Sequence, residues 1–227
     1  MDDVTFAELD CDGAIAEAVE RVGGDTRAEL LGKAVVGGAA LLGALGLSSR
    51  AGAATARSDV GILNYALTLE YLQSAFYTEA ERLGAIGGKL ADVPRQLGAV
   101  ERAHVTALKQ ALGKAAVPRP AFNFQGVTED QVKFLRTAVA FEDLGAAAYK
   151  AQASRIKSPA LLAAAVSIHS VEARHAAWMR YLAGSTPAAA AFDEGKPVSE
   201  VRAIVASTRF VVARPRTSST SRPKHTG

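Results

Sequence analysis

Apolar and polar positions alternate along this chain in four long stretches with helical periodicity, beginning near residue 57. In "SDVGILNYALTLEYLQSAFYTEAERLG", Ile62, Leu63, Ala66, Leu67 and Tyr71 recur at the spacing of one helix face. Ser58 or Asp59 suits the N-cap of this first helix, and Gly84 suits its end. A second helix is predicted from about Pro94, which fits a first turn, to Leu112, with Gly113 as its stop. A third follows Thr128, read as N-cap with Asp130 and Gln131 behind it in a loose capping box, and runs to about Ile156. The fourth runs from Pro159 to about Ala183 and stops at Gly184. The first and second helices are joined by a short connection, as are the third and fourth. The segment "KAAVPRPAFNFQGV" between the second and third has about fourteen residues and two prolines. Short connections make antiparallel hairpins, and a long one can carry the chain from one end of a bundle to the other. The pattern also permits a simple up-and-down bundle.

Composition supports an all-α reading. Alanine and leucine abound and β-branched clusters are scarce. A chain of 227 residues is long enough for a full core in one domain with tails. Its single cysteine, Cys11, has no partner for an internal disulfide or a CxxC metal site, and it reads as an incidental thiol. The net charge of +3 conceals a gradient, with −5 over residues 1–56, +4 over 57–184 and +4 over 185–227. Within 1–56, the uncharged stretch "AVVGGAALLGALGL" at 34–47 is shorter than the roughly 20 residues a membrane-spanning helix needs. It suits the apolar core of an export signal, with Ala-x-Ala at 51–53 and 54–56 behind it. The preceding "DTRAELLGK" resembles a twin-arginine signal with one arginine missing, after a long acidic start. Residues 1–56 therefore read as a degenerate export signal, an anchor touching a membrane through 34–47, or a helix packed on the domain. A periplasmic or cell-envelope location stands beside a cytoplasmic one. Residues 185–212 read as an extension on the bundle with one more short helix, and 213–227 as a disordered basic tail rich in Ser, Thr, Pro and Arg. That tail reads as inert and gives no ground for specific nucleic-acid binding.

The charged residues inside the apolar stretches carry the chemistry. Glu101 and His104 lie three residues apart in the second helix, and Glu172 and His175 three apart in the fourth, each pair on one helix face. The first helix holds Glu70 and the third Glu142. Glu70 precedes Glu142 by 72 residues, and Glu101 and His104 precede Glu172 and His175 by 71. Tyr77 follows Glu70 by seven residues and Tyr149 follows Glu142 by seven, two turns along the same face. The chain reads as one hairpin made twice. A lone ExxH is a weak signal, and the alternative to a site is four solvated charges. Two copies in matched register, flanked by Leu67, Leu69, Val139 and Phe141, are much stronger, because unpaired carboxylates are rarely buried. Four carboxylates gathered in one interior repel each other and resist desolvation, and two divalent cations would make that interior tenable. Glu on two helices with Glu-x-x-His on the other two is the general ligand order of di-iron carboxylate bundles. Carboxylate and imidazole donors suit two Fe ions, or Mn.

These residues also carry a resemblance. From about 57 to 184 the chain resembles the ferritin-like superfamily. "DVGILNYALTLEYLQSAFY", "ERAH", "FEDLGAAAY", "VEARHAAW" and the later "AAAAFDEGKPVSEV" are similar to its bacterial and plant branch of desiccation-related proteins. The resemblance implies an all-α, ferritin-like four-helix bundle with a long crossover between the second and third helices. It implies Glu70, Glu101, His104, Glu142, Glu172 and His175 as metal ligands, and it supplies no established substrate. Three functions follow as expectations. One is a di-iron or di-manganese oxidoreductase consuming dioxygen or peroxide, of ferroxidase or peroxide-scavenging type, in stress protection. A second is a structural or metal-storage stress protein without turnover. A third, weaker, is a nucleic-acid protector acting through the basic tail. Oligomeric state is not legible. Of the other polar residues, His169 reads as an ordinary residue or as a support for a ligand carboxylate. Tyr77 and Tyr149 read as packing, as redox-active groups or as partners of ligand carboxylates. Tyr71 and Trp178 read as packing, Asn64 as bonded away from the ligand face, and Glu79 and Asp143 as solvated.

Overall fold

A computed structural model of the chain describes residues 57–212. The expected export signal or anchor in 1–56 and the basic tail at 213–227 lie outside the described residues. Four long helices dominate: α1 (Arg57–Leu83), α2 (Val93–Leu112), α3 (Gln131–Ala153) and α4 (Pro159–Leu182). A fifth, α5 (Val198–Thr208), follows an irregular stretch. Two-residue strands β1 (Ala121–Phe122) and β2 (Val211–Val212) pair antiparallel, Ala121 opposite Val212. This small clasp joins the long connection to the chain's later segment, and segments of two residues are too short to carry a period. No helix among the described residues is long and apolar enough to cross a membrane.

Hydrogen bonds at the two ends of the bundle settle the topology. Near the start of α1, Asn64 donates to Ala115 O and accepts from Val117 N, just past the end of α2. Asp59 accepts from Lys157 N and Ser158 N in the α3–α4 turn. At the other end, Thr128 donates to Glu79 near the end of α1, and Gly87 N in the α1–α2 turn donates to Gln131 at the start of α3. The connection from 113 to 130 therefore traverses the bundle's length, and α2 and α3 run parallel. Each hairpin remains antiparallel, and the up-and-down alternative is excluded.

Local chemistry sets the helix ends. α1 stops at Gly84, whose φ of +64° is the left-handed conformation a glycine adopts without strain, with its N–H donating to Ala80 O. Ser158 caps α4 ahead of Pro159, accepting from Leu161 N. Two expected caps are corrected. Asp130, not Thr128, caps α3, accepting from Val132 N and Lys133 N. Thr128 is buried and spends its hydroxyl on Glu79. Ser58 and Asp59 both lie inside the first turn of α1 rather than at its cap, and Asp59 accepts from the α3–α4 turn.

The two ends of the bundle are packed differently. Around Phe76, the rings of Tyr77, Phe124, Phe134 and Phe141 stand within 5.4 Å, centroid to centroid. Toward the opposite end the core is aliphatic and alanine-rich, around Leu63, Ala66, Leu67, Leu108, Leu161 and Ile168. α5 lays Val201 against Tyr65, Leu69, Leu144 and Ala148 of α1 and α3.

Candidate metal centre

Each of the four long helices brings one glutamate to a common point midway between the two ends. Glu70, Glu101, Glu142 and Glu172 are all 0 % exposed, and His104 and His175 are 8 % exposed. Burying four carboxylates without cations beside them is unfavourable, so their convergence calls for a positive partner. Their ligand atoms form two adjacent groups, each within 4.8 Å: Glu70, Glu101, His104 and Glu172, and Glu101, Glu142, Glu172 and His175. Glu101 and Glu172 belong to both. All six residues expected from the sequence are brought together.

The oxygens divide in an orderly way. Glu101 faces both histidines, Oε2 at 3.2 Å from His104 Nδ1 and Oε1 at 3.0 Å from His175 Nδ1. Glu70 turns Oε2 toward His104 at 3.3 Å and uses Oε1 to accept from the Tyr149 hydroxyl at 2.6 Å. Glu142 turns Oε2 toward His175 at 3.3 Å and uses Oε1 to accept from the Tyr77 hydroxyl at 2.5 Å. The tyrosine bonds cross the bundle: the first hairpin's tyrosine holds the second hairpin's glutamate, and the reverse. Glu172 breaks the pattern. Its Oε1 lies 3.2 Å from His104, while Oε2 accepts from Gln73 Nε2 at 3.2 Å.

Gly145 makes that departure possible. A Cβ added there would collide with Glu172 Oε2 and stand 3.3 Å from Gln73 Nε2. Gln73 follows Glu70 by three residues and Gly145 follows Glu142 by three, so the two occupy equivalent positions of the duplicated hairpin. Neither was singled out from the sequence. Superposing the two halves would have exposed the mismatch.

Glu70 Oε2, Glu101 Oε1, Glu142 Oε2, Glu172 Oε1 and His175 Nδ1 are buried without a hydrogen bond. They stand near one another yet are misaligned for hydrogen bonding, as atoms aimed at shared central points would be. Buried polar groups are normally satisfied, so this concentration of orphaned donor atoms fits metal ions. With side chains alone to balance charge, burial raises Glu70 well above its usual range and Glu142 to about 7. Burial also raises Glu101, but His104 and His175 outweigh it and hold that carboxyl below its usual range. Burial depresses the histidines, yet the facing glutamates prevail, raising His104 well above its ordinary value and His175 to about 10. Burial and the adjoining carboxylates keep Tyr77 and Tyr149 protonated as donors.

A family model described as a ferritin-like domain matches residues 58–185. The chain belongs to the ferritin-like family. The match spans the four long helices that carry all six residues. No curated protein matches the chain.

The remaining polar residues sort themselves by contact. His169 is half-buried, with Nε2 3.9 Å from Asp193, and makes no hydrogen bond to the six. Glu79 and Asp143 are not solvated as expected: both are half-buried, Glu79 held by Thr128 and Asp143 paired with Arg180 at 2.8 Å. Tyr71 is buried in the aliphatic core and Trp178 packs partly buried against the aromatic end.

Proposed function

We propose that this ferritin-like protein holds two iron ions, or manganese, between its four long helices and uses them to consume peroxide or dioxygen. Glu101 and Glu172, which belong to both groups, would be shared by the two ions. Glu70 with His104, and Glu142 with His175, complete the two sides. The observation that carries it is the pair of adjacent four-residue groups sharing two carboxylates. A donor set of carboxylate oxygens and imidazole nitrogens, with no thiolate, favours iron or manganese over softer metals. Bound iron would supply one-electron chemistry, two ferrous ions giving the two electrons that turn dioxygen and two protons into hydrogen peroxide, or hydrogen peroxide and two protons into two waters.

The chain's own residues orient and insulate. Tyr77 and Tyr149 each tie up one oxygen of a terminal glutamate, leaving the other to face the centre. Gln73 donates to one oxygen of Glu172 and leaves the other for the centre. The aromatic end excludes water from beneath Tyr77. A protective role under oxidative or desiccation stress is part of the same proposal, supported by the likeness of "FEDLGAAAY" and "VEARHAAW" to desiccation-related proteins. The test is consumption of peroxide and of dioxygen by iron-loaded protein beside Glu101→Ala and His175→Ala. Metal-dependent consumption lost in both variants supports turnover. Background consumption, with a sharp fall in thermal stability on metal removal, would favour a structural or storage role instead.

A further inference from the structure

The alanine-rich end of the bundle contains a cavity of about 30 Å³. Its position follows from helix geometry. Ala66 lies four residues before Glu70, Leu108 four after His104, Ile168 four before Glu172, and Tyr149 seven after Glu142. Because α1 and α4 run one way and α2 and α3 the other, all these offsets point toward the same end of the bundle. Residues four or seven apart share a helix face. The cavity therefore lies one to two turns beneath the proposed metal centre. Tyr149 lines it and at the same time donates its hydroxyl to Glu70.

We propose that this cavity binds a small apolar gas molecule, dioxygen in the reaction proposed above, and holds it beside the metal centre. The cavity is partly open to solvent past half-buried Ala107 and Ala165, so a gas can enter it, and small side chains keep unfilled a space that close packing would otherwise close. Ala107 and Ala165 face it where larger apolar residues would close it. The bundle's other end has phenylalanine rings filling the corresponding space. A site for one water needs roughly 10–15 Å³ together with two to four polar partners. The volume here admits a molecule of two or three atoms, and the walls are mostly hydrocarbon; Gln152, Tyr65 and Tyr149 are the polar exceptions, and the Tyr149 hydroxyl is spent on Glu70. Water has too few partners in such a place, whereas dioxygen needs none. The naming of dioxygen rests on the proposed function; the gas-binding cavity rests on geometry alone.

Xenon is the probe, because it is apolar and needs no chemistry. The full chain, metal-loaded, is examined by xenon NMR and xenon-pressurised diffraction beside Ala107→Leu and Ala165→Leu, with metal content checked in each. Expected are one xenon site in the wild type, its loss in both variants, and unchanged metal content. Oxidation by dioxygen should then need a several-fold higher gas concentration in the variants, while oxidation by hydrogen peroxide, which is polar, stays the same. Absence of xenon in the wild type, or equal binding in the filled variants, would overturn the gas site. Xenon binding with identical dioxygen kinetics in all three proteins would overturn its role in supply. Xenon binding with no dioxygen consumption by the wild type would uphold the gas site and overturn the dioxygen branch of the functional reading instead.

Discussion

The hairpin of α1 with α2 and the hairpin of α3 with α4 place the same groups at the same heights: a glutamate, a tyrosine two turns on, and a Glu-x-x-His pair on the return helix. They differ three residues after the first glutamate, where one has Gln73 and the other Gly145. That one difference is enough to split the roles of two otherwise equivalent carboxylates. Glu101 faces both histidines, whereas Glu172 gives one oxygen to Gln73 in the space that Gly145 leaves free. Duplication accounts for the donor set. Its local breakdown accounts for the different surroundings of Glu101 and Glu172.

The largest expected effect separates shared from unshared ligands. Glu101→Ala removes a donor from both groups, while Glu70→Ala removes one from a single group. Metal analysis should find almost none in the first variant and about half the wild-type content in the second, if each group holds its own ion. Equal losses would mean that the two groups act as one indivisible site.

Next comes Gly145→Ala. The added methyl would drive Glu172 off its position, and overpacking of this kind costs about 1–3 kcal/mol. Thermal unfolding should register that loss together with weaker metal binding. Gln73→Gly, which makes the two halves alike, should leave the fold nearly intact and release Glu172 Oε2 from its hydrogen bond. A change in the metal's absorption or magnetic spectrum would report that shift, and an unchanged spectrum would remove Gln73 from the account.

The tyrosines test the crossing of the two halves. Tyr77→Phe removes the donor to Glu142 and Tyr149→Phe the donor to Glu70. A hydrogen bond to a charged group is worth about 1.5–3 kcal/mol. Each substitution should lower the stability of loaded protein by a similar amount within that span, measured by denaturant unfolding. A large effect from one alone would show that the duplication does not extend to function.

The smallest effect is the pH response of metal-stripped protein. Glu142 is raised from 4.5 to about 7 and His175 from 6.5 to about 10 in the fold. Groups raised on folding stabilise the folded state fully below their unfolded values, and this contribution is lost as pH rises through the folded ones. Stripped protein should therefore weaken from about pH 4.5 to 7 through Glu142 and from about pH 6.5 to 10 through His175. Metal-loaded protein should not, because the same positions hold metal in place of protons. Parallel pH profiles for the two forms would contradict this.

How much of this was legible in the sequence depended on whether a feature repeated. The six buried Glu and His residues were readable because each occurs twice at the same offset. Helix number was readable because glycine and proline punctuate each stretch, and the long connection with its prolines suggested the crossover. Partners were harder to read. Which carboxylate each tyrosine reaches depends on how α1 faces α3, and both tyrosines turned out to reach across rather than along their own helix. Thr128 and Asp130 are both plausible caps in isolation, and the presence of Glu79 across the bundle decides between them. Glu79 and Asp143 looked solvated because Thr128 and Arg180, which satisfy them, lie far off in the chain.

The central claim is that four helices of this ferritin-like protein hold two metal ions through shared carboxylates. Its most direct test is the metal content of protein purified without added metal, beside the Glu101→Ala, Glu172→Ala double variant. About two iron or manganese ions per chain, absent from the double variant, is the predicted result. Little metal in both proteins, with none taken up when iron or manganese is supplied, would contradict it.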